Sequence, residues 1–99
     1  MHVRLISMSG ASDDGREHAI QTIRERVIPT VAQHDGYAGY VGLYDTDSGR
    51  AKALIFWESR EAAEAAESEL AGFRAQVVGG LGMTLESVEL YEAPVVALA

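Results

Sequence analysis

Between Asp35 and Ser59 the chain reads as one connected structural unit. Asp35-Gly36-Tyr37-Ala38-Gly39-Tyr40 leads out of a helix into a strand, Thr46-Asp47-Ser48-Gly49 turns the chain, and a second strand ends Phe56-Trp57-Glu58-Ser59 before an alanine-rich helix. The turn set between two β-rich runs predicts a hairpin of strands 37–45 and 50–58. Pairing Asp45 with Arg50 places opposite charges across it, and the same register sets Ala38 opposite Trp57. One face then carries Ala38, Tyr40, Gly42, Tyr44, Ala53, Ile55 and Trp57; the other carries Tyr37, Val41, Leu43, Leu54 and Phe56. Both faces are largely apolar, so both need cover, and a single helix layer covers only one.

The flanking segments supply that layer. Residues 2–8 read as a strand, with Val3, Leu5, Ile6 and Met8 apolar, and Ser9 to Gly15 as a loop whose Asp13 and Asp14 are placed to cap the next helix. Ile20, Ile23, Val27 and Val31 recur at steps of three and four. Pro29 should kink that helix because it cannot donate to the carbonyl of Glu25, and Gly36 should end it. Ser59 caps the second helix, whose stripe is Ala62, Ala66, Leu70, Phe73 and Val77. Gly79, Gly80 and Gly82 end it before a strand over 83–92, and Gly72 lies off the stripe. The apolar tail from Pro94 to Ala99 is expected to dock on another surface.

The order β-α-β-β-α-β with right-handed crossovers predicts an α+β, ferredoxin-like sandwich: a four-stranded antiparallel sheet, first and third strands central, two helices on one face. Ninety-nine residues make one domain, 1–99, and a domain this small is marginal alone. With 47% hydrophobic residues, the uncovered sheet face predicts a homodimer that pairs two sheets face to face into an α/β barrel.

Composition narrows function by exclusion. A net charge of -7 argues against nucleic-acid and anionic-membrane partners. There is no cysteine, hence no disulfide or thiol chemistry. The N-terminus lacks a signal-peptide core and no run is apolar enough to span a bilayer, which makes a soluble cytoplasmic protein the expectation. Asp45-x-Asp47-x-Gly49 begins like a calcium loop, but Arg50 and Phe56 stand where glycine and a bidentate glutamate are required. Gly80-Leu81-Gly82 precedes a strand, so it is a connector and no dinucleotide fingerprint. His2, His18 and His34 share no ligand spacing, and no metal site is expected.

Two features point to a site. Arg24 falls within the apolar stripe of the first helix, as a snorkelling edge residue or as a cation aimed at a carboxylate or developing oxyanion. Tyr40, Tyr44 and Trp57 alternate with Ala38, Gly42 and Ala53, so large rings separated by small residues leave apolar space with polar tips. The same rings would equally serve as plain packing. These four, Arg24, Tyr40, Tyr44 and Trp57, are the candidate ligand-binding residues; no side chain stands out as a catalytic base.

The span DGYAGYVGLYDTDSGRAKALIFWESREAAEAA, Asp35 to Ala66, resembles the dimeric α/β-barrel superfamily and is most similar within it to the antibiotic biosynthesis monooxygenase-like domain. The shared marks are the Gly-aromatic helix exit, the hairpin, and Trp-x-Ser-x-Glu-Ala opening the second helix. The resemblance implies a fold more than a reaction. Its haem-degrading branch is disfavoured: Gln76, Ala66 and Ser7 fall where that branch has a ligating His, a pocket Trp and an Asn. The polyketide branch implies a small aromatic ligand and chemistry without cofactor, in which a deprotonated phenol or hydroquinone reacts with dioxygen directly. The expectation is a cofactor-free monooxygenase, or a related small enzyme, acting on an aromatic, phenolic or polyketide-like metabolite; the alternative is a non-catalytic ligand-binding or structural dimer.

Overall fold

Backbone pairing joins the sequence-distant apolar runs into one sheet. The computed structural model describes residues 1–99. Its strands are β1 (His2–Ser9), β2 (Tyr37–Asp45), β3 (Arg50–Trp57) and β4 (Thr84–Glu92), in the order β2-β3-β1-β4 with every neighbouring pair antiparallel. The first and third strands are central, as the ferredoxin-like reading requires. Helices α1 (Asp13–Thr22) and α3 (Arg60–Gly80) follow β1 and β3, and α1 continues through a π-helical turn (Ile23–Val27) into a last α-turn, α2 (Ile28–Val31).

The hairpin keeps the Asp45–Arg50 pair, but the expected Ala38–Trp57 pair does not form. Tyr37 lies opposite Trp57, Gly39 opposite Phe56, and Ala38 is the extra residue of a β-bulge with Gly39 at φ 157°. The bulge moves Tyr37 onto the face of Trp57, where the two rings meet edge to face with centroids 6.1 Å apart. An alanine there would leave the indole uncovered. Asp45 holds the turn as an Asx motif, accepting from the Asp47 amide at 3.2 Å and the Ser48 hydroxyl at 2.8 Å.

The first helix differs from expectation at both ends. Ser12, and not the aspartates, is its N-cap, accepting from the Gly15 amide at 3.1 Å; Asp13 and Asp14 occupy the first turn, where negative charge complements the helix dipole. The helix ends at Val31, and Gly36, at φ 83°, serves the turn into β2. The kink expected at Pro29 takes the form of the π-turn. Without a proline N–H, the ladder slips so that the Ile28 amide donates to the Ile23 carbonyl, five residues back.

Helix α3 starts at its Ser59 cap, which accepts from the Ala62 amide at 3.1 Å. It buries Ala63, Ala66, Leu70, Val77 and Val78, so the stripe is phased on Ala63 while Ala62 and Phe73 sit at its edges. The helix runs through Gly80, and Gly82, at φ 71°, makes the turn to β4. The core joins α3 to the sheet through Ile6, Ala53, Ile55, Trp57, Ala63, Ala66 and Leu70, with Val31 from α2. The opposite sheet face carries Val3, Leu5, Val41, Leu54 and Phe56; Val3 and Phe56 are buried, while Leu5, Val41 and Leu54 are only partly so. The tail beyond Ala93, whose amide donates to the Met1 carbonyl at 2.8 Å, is open to solvent, Val95 at 84% and Leu98 at 69%. No helix is long and apolar enough to cross a membrane.

Candidate functional site

Four hydrogen bonds set where the first helix begins. The Gly49 carbonyl at the hairpin tip accepts from the Gly10 and Ala11 amides at 2.8 and 3.0 Å. The Tyr44 hydroxyl accepts from the Ser12 amide and donates to the Ser12 carbonyl, each at 2.9 Å. The helix therefore starts beyond the edge of the sheet, and its side chains Ile20, Ile23, Val27 and Ile28 are only partly buried. The space they enclose is a cavity of about 600 Å³ between the first helix, the sheet and the C-terminal half of α3. That volume lies within the range of small-molecule sites.

The walls are mostly aliphatic: Ile6, Met8, Ala53 and Ile55 from the sheet, Leu70, Phe73 and Val77 from α3, and the isoleucines of the first helix. Tyr40 and Tyr44 line it from β2. Gly42 lies between them, and a Cβ there would make ordinary contact with the Tyr40 ring at 3.6 Å. Tyr44 contributes its ring while its hydroxyl is committed to Ser12. Burial, aided by nearby Tyr37, pushes the Tyr40 hydroxyl up to about 12, so Tyr40 stays protonated at neutral pH.

Arg24 lies on the π-turn and reaches the cavity from its exposed rim. Trp57 is not brought to the cavity. It is only 1% exposed and sits in the core cluster with Ala63 and Ala66, backed by Tyr37. The alanines that begin α3 let that helix close onto the indole, so no space remains there. The open space lies further along, where α3 presents Leu70, Phe73 and Val77.

The sequence reading missed Arg16 and Arg74, which also line the cavity. Arg16 was signalled by spacing, since Arg16, Ile20 and Arg24 follow steps of four on one helix face. Arg74 gave no local signal. It binds both carboxylate oxygens of Glu67, through Nη1 at 2.8 Å and through Nη2, while Arg4 Nε approaches the same carboxylate at 3.6 Å from β1. The Arg74 bond, more than Arg4, holds the Glu67 carboxyl below its usual range. Arg4 lies 63 residues from Glu67 and 70 from Arg74 in the chain, so only the fold brings it to them.

No carboxylate and no histidine lines the cavity. His34 ties the loop after α2 to α3 instead, 3.0 Å from Glu69, and there is no group of three or more His, Asp or Glu side chains placed to hold a metal ion. The site can hold an apolar body, offer one phenolic hydroxyl and stabilise negative charge. It contains no group suited to accept a proton at neutral pH.

Solved structures with this architecture have been determined. A Deinococcus radiodurans protein provisionally described as an antibiotic biosynthesis monooxygenase aligns over 100% of this chain and 98% of its own, with TM-score 0.70 and 20% identity. The monooxygenase ActVA-Orf6 of Streptomyces coelicolor, solved with nanaomycin D, aligns over 99% and 90%, with TM-score 0.71 and 14% identity. SnoaB, a cofactor-independent oxygenase from Streptomyces nogalater, aligns over 96% and 95%, with TM-score 0.66 and 16% identity. No family model and no curated protein matches the chain in sequence. The chain has the fold of the antibiotic biosynthesis monooxygenase-like domain, over its whole length.

Proposed function

We propose that this protein is a homodimeric, cofactor-free monooxygenase of a small aromatic phenol, with one site per protomer in the cavity under the first helix. The observation that carries the reading is the cavity itself: an aliphatic box with Tyr40 and Arg24 at its polar points. Two of the structurally similar proteins are named as oxygenases, which supports the same class.

With no base in the lining, the substrate must enter as, or lose its proton to water to become, a phenolate. Arg24 would stabilise that anion, and the protonated Tyr40 hydroxyl would donate to its oxygen. The aliphatic walls exclude bulk water from the electron-rich ring. Dioxygen takes an electron from the ring and recombines with it to form a carbon–oxygen bond. Loss of water from the resulting hydroperoxide leaves a quinone carbonyl. One dioxygen is consumed; one of its oxygen atoms enters the substrate, and the other leaves as water with the two hydrogens the substrate gives up. Tyr44 and Arg24 would contact the ligand with Tyr40, and Trp57 would support the wall from the core.

The missing base specifically favours a second reading, a non-catalytic dimer that binds the same kind of ligand. Oxygen uptake with a dihydroxyanthrone as probe separates the two. The oxygenase reading expects uptake well above the spontaneous rate, one dioxygen per quinone formed, and slower turnover in Tyr40→Phe and Arg24→Gln. Saturable binding of the probe with no acceleration would establish the binding protein instead.

A further inference from the structure

Every ionisable side chain lining the cavity is an arginine, a lysine or a tyrosine, in a protein that carries 15 acidic against 8 basic residues. The ion pairs of the chain are Arg4–Glu67, Arg74–Glu67, Arg60–Glu64 and His34–Glu69; Arg26, Arg50 and Lys52 take part in none, and neither do Arg16 and Arg24. Both are exposed at the mouth of the cavity. They are separated by eight residues, about 12 Å along the helix axis, with Ile20 between them. Their side chains are long enough to lean toward each other over that isoleucine.

The inner wall carries the same sign. Arg4 and Arg74 share the single carboxylate of Glu67, and their side chains are 11% and 10% exposed. One positive charge is thus left over in a poorly hydrated place beside the cavity, where its field is weakly screened. A neutral apolar ligand needs neither this wall nor the two free cations at the opening.

We propose that the cavity takes an organic acid: a flat, mainly apolar molecule whose one carboxylate is held at the mouth by Arg16 and Arg24 while its rings enter between the first helix and the sheet. This rests on the cavity being the ligand site and adds the charge and orientation of the ligand. The carboxylate is already ionised in solution, so its recognition does not require the proton loss that oxygenation needs. The ring end would reach Tyr40 and the acid would stay at the rim.

Fluorescence anisotropy with two probes of one ring system tests this, anthracene-2-carboxylate and anthracene-2-methanol, at neutral pH. A charge-assisted pair at the mouth should make the acid bind about tenfold tighter than the alcohol. The preference should fall as salt is raised. The double variant Arg16→Gln/Arg24→Gln should lose it, Arg24→Lys should keep part of it, and Arg60→Gln, which removes a positive charge from the Glu64 pair away from the cavity, should keep all of it. Circular dichroism and melting of each variant check that the fold is intact. Equal affinity for the two probes, or a preference that survives the double variant, would overturn the acid assignment while leaving the cavity as a site. Binding of neither probe would overturn both.

Discussion

Gly36 and Gly72 are the same residue in opposite circumstances, and substitution should separate them. Gly36 has φ 83°, its carbonyl accepts from the Glu58 amide at 2.8 Å, and a Cβ would stand 2.5 Å from that of Ala62. Gly36→Ala should destabilise the fold by at least about 1–2 kcal/mol from the left-handed backbone alone, with the clash against α3 added. A Cβ on Gly72, inside α3, meets nothing within 4 Å, so Gly72→Ala should stabilise by about 0.5–1 kcal/mol. Urea denaturation of both variants checks the pair. Glu67 makes a residue-scale prediction for pH. Its carboxyl is held low, chiefly by Arg74, so its contribution is present above the unfolded value, about 4.3, and is lost as pH falls through the folded value. The stability profile of Glu67→Gln should therefore be flatter below about pH 4 than that of the parent, as acid titration of the melting temperature would show. A profile as steep as the parent's would remove Glu67 from the acid response.

At the scale of elements, the π-turn shapes the site. It ends two residues before Pro29, and Ile23, Arg24 and Val27 within it all line the cavity. Pro29→Ala restores the missing donor, so the helix should revert toward α geometry. The expected outcome is higher stability, by up to about 3 kcal/mol, together with weaker probe binding as those side chains rotate; calorimetry and a binding titration read the two effects. Stability gained without any change in binding would detach the π-turn from the site. Much at this scale was legible in the sequence. Asp45, Arg50 and the Thr46–Gly49 turn determine the hairpin, and Ser59 marks the start of α3, because each acts through near neighbours. The bulge at Ala38 was not legible, since either register buries apolar residues and the choice depends on covering Trp57 with Tyr37. The position of Arg24, Tyr40 and Tyr44 along the cavity was legible from periodicity. The placement of Trp57 behind alanines and of Arg74 beside Glu67 depends on how closely each helix approaches the sheet, which periodicity does not encode.

For the molecule as a whole, the open sheet face is the remaining unpaired surface. Val41 and Leu54 lie on it only partly buried, and the proposed dimer would cover them at the standard interface size, at least about 1,200 Å². Leu54→Lys should shift sedimentation from dimer to monomer while the secondary structure persists; a parent protein that sediments as a monomer at micromolar concentration would remove the dimer from the account. The claim that the cavity, and not this sheet face, is the ligand site is open to the most direct measurement of all. Methyl-labelled protein titrated with anthracene-2-methanol and followed by NMR reports both surfaces in one experiment. The account predicts saturable shifts at Ile6, Ile20, Ile23, Val27 and Ile55, which line the cavity, with Val3, Leu5, Val41 and Leu54 unmoved. Shifts confined to that second group, or none anywhere at saturating probe, would contradict it.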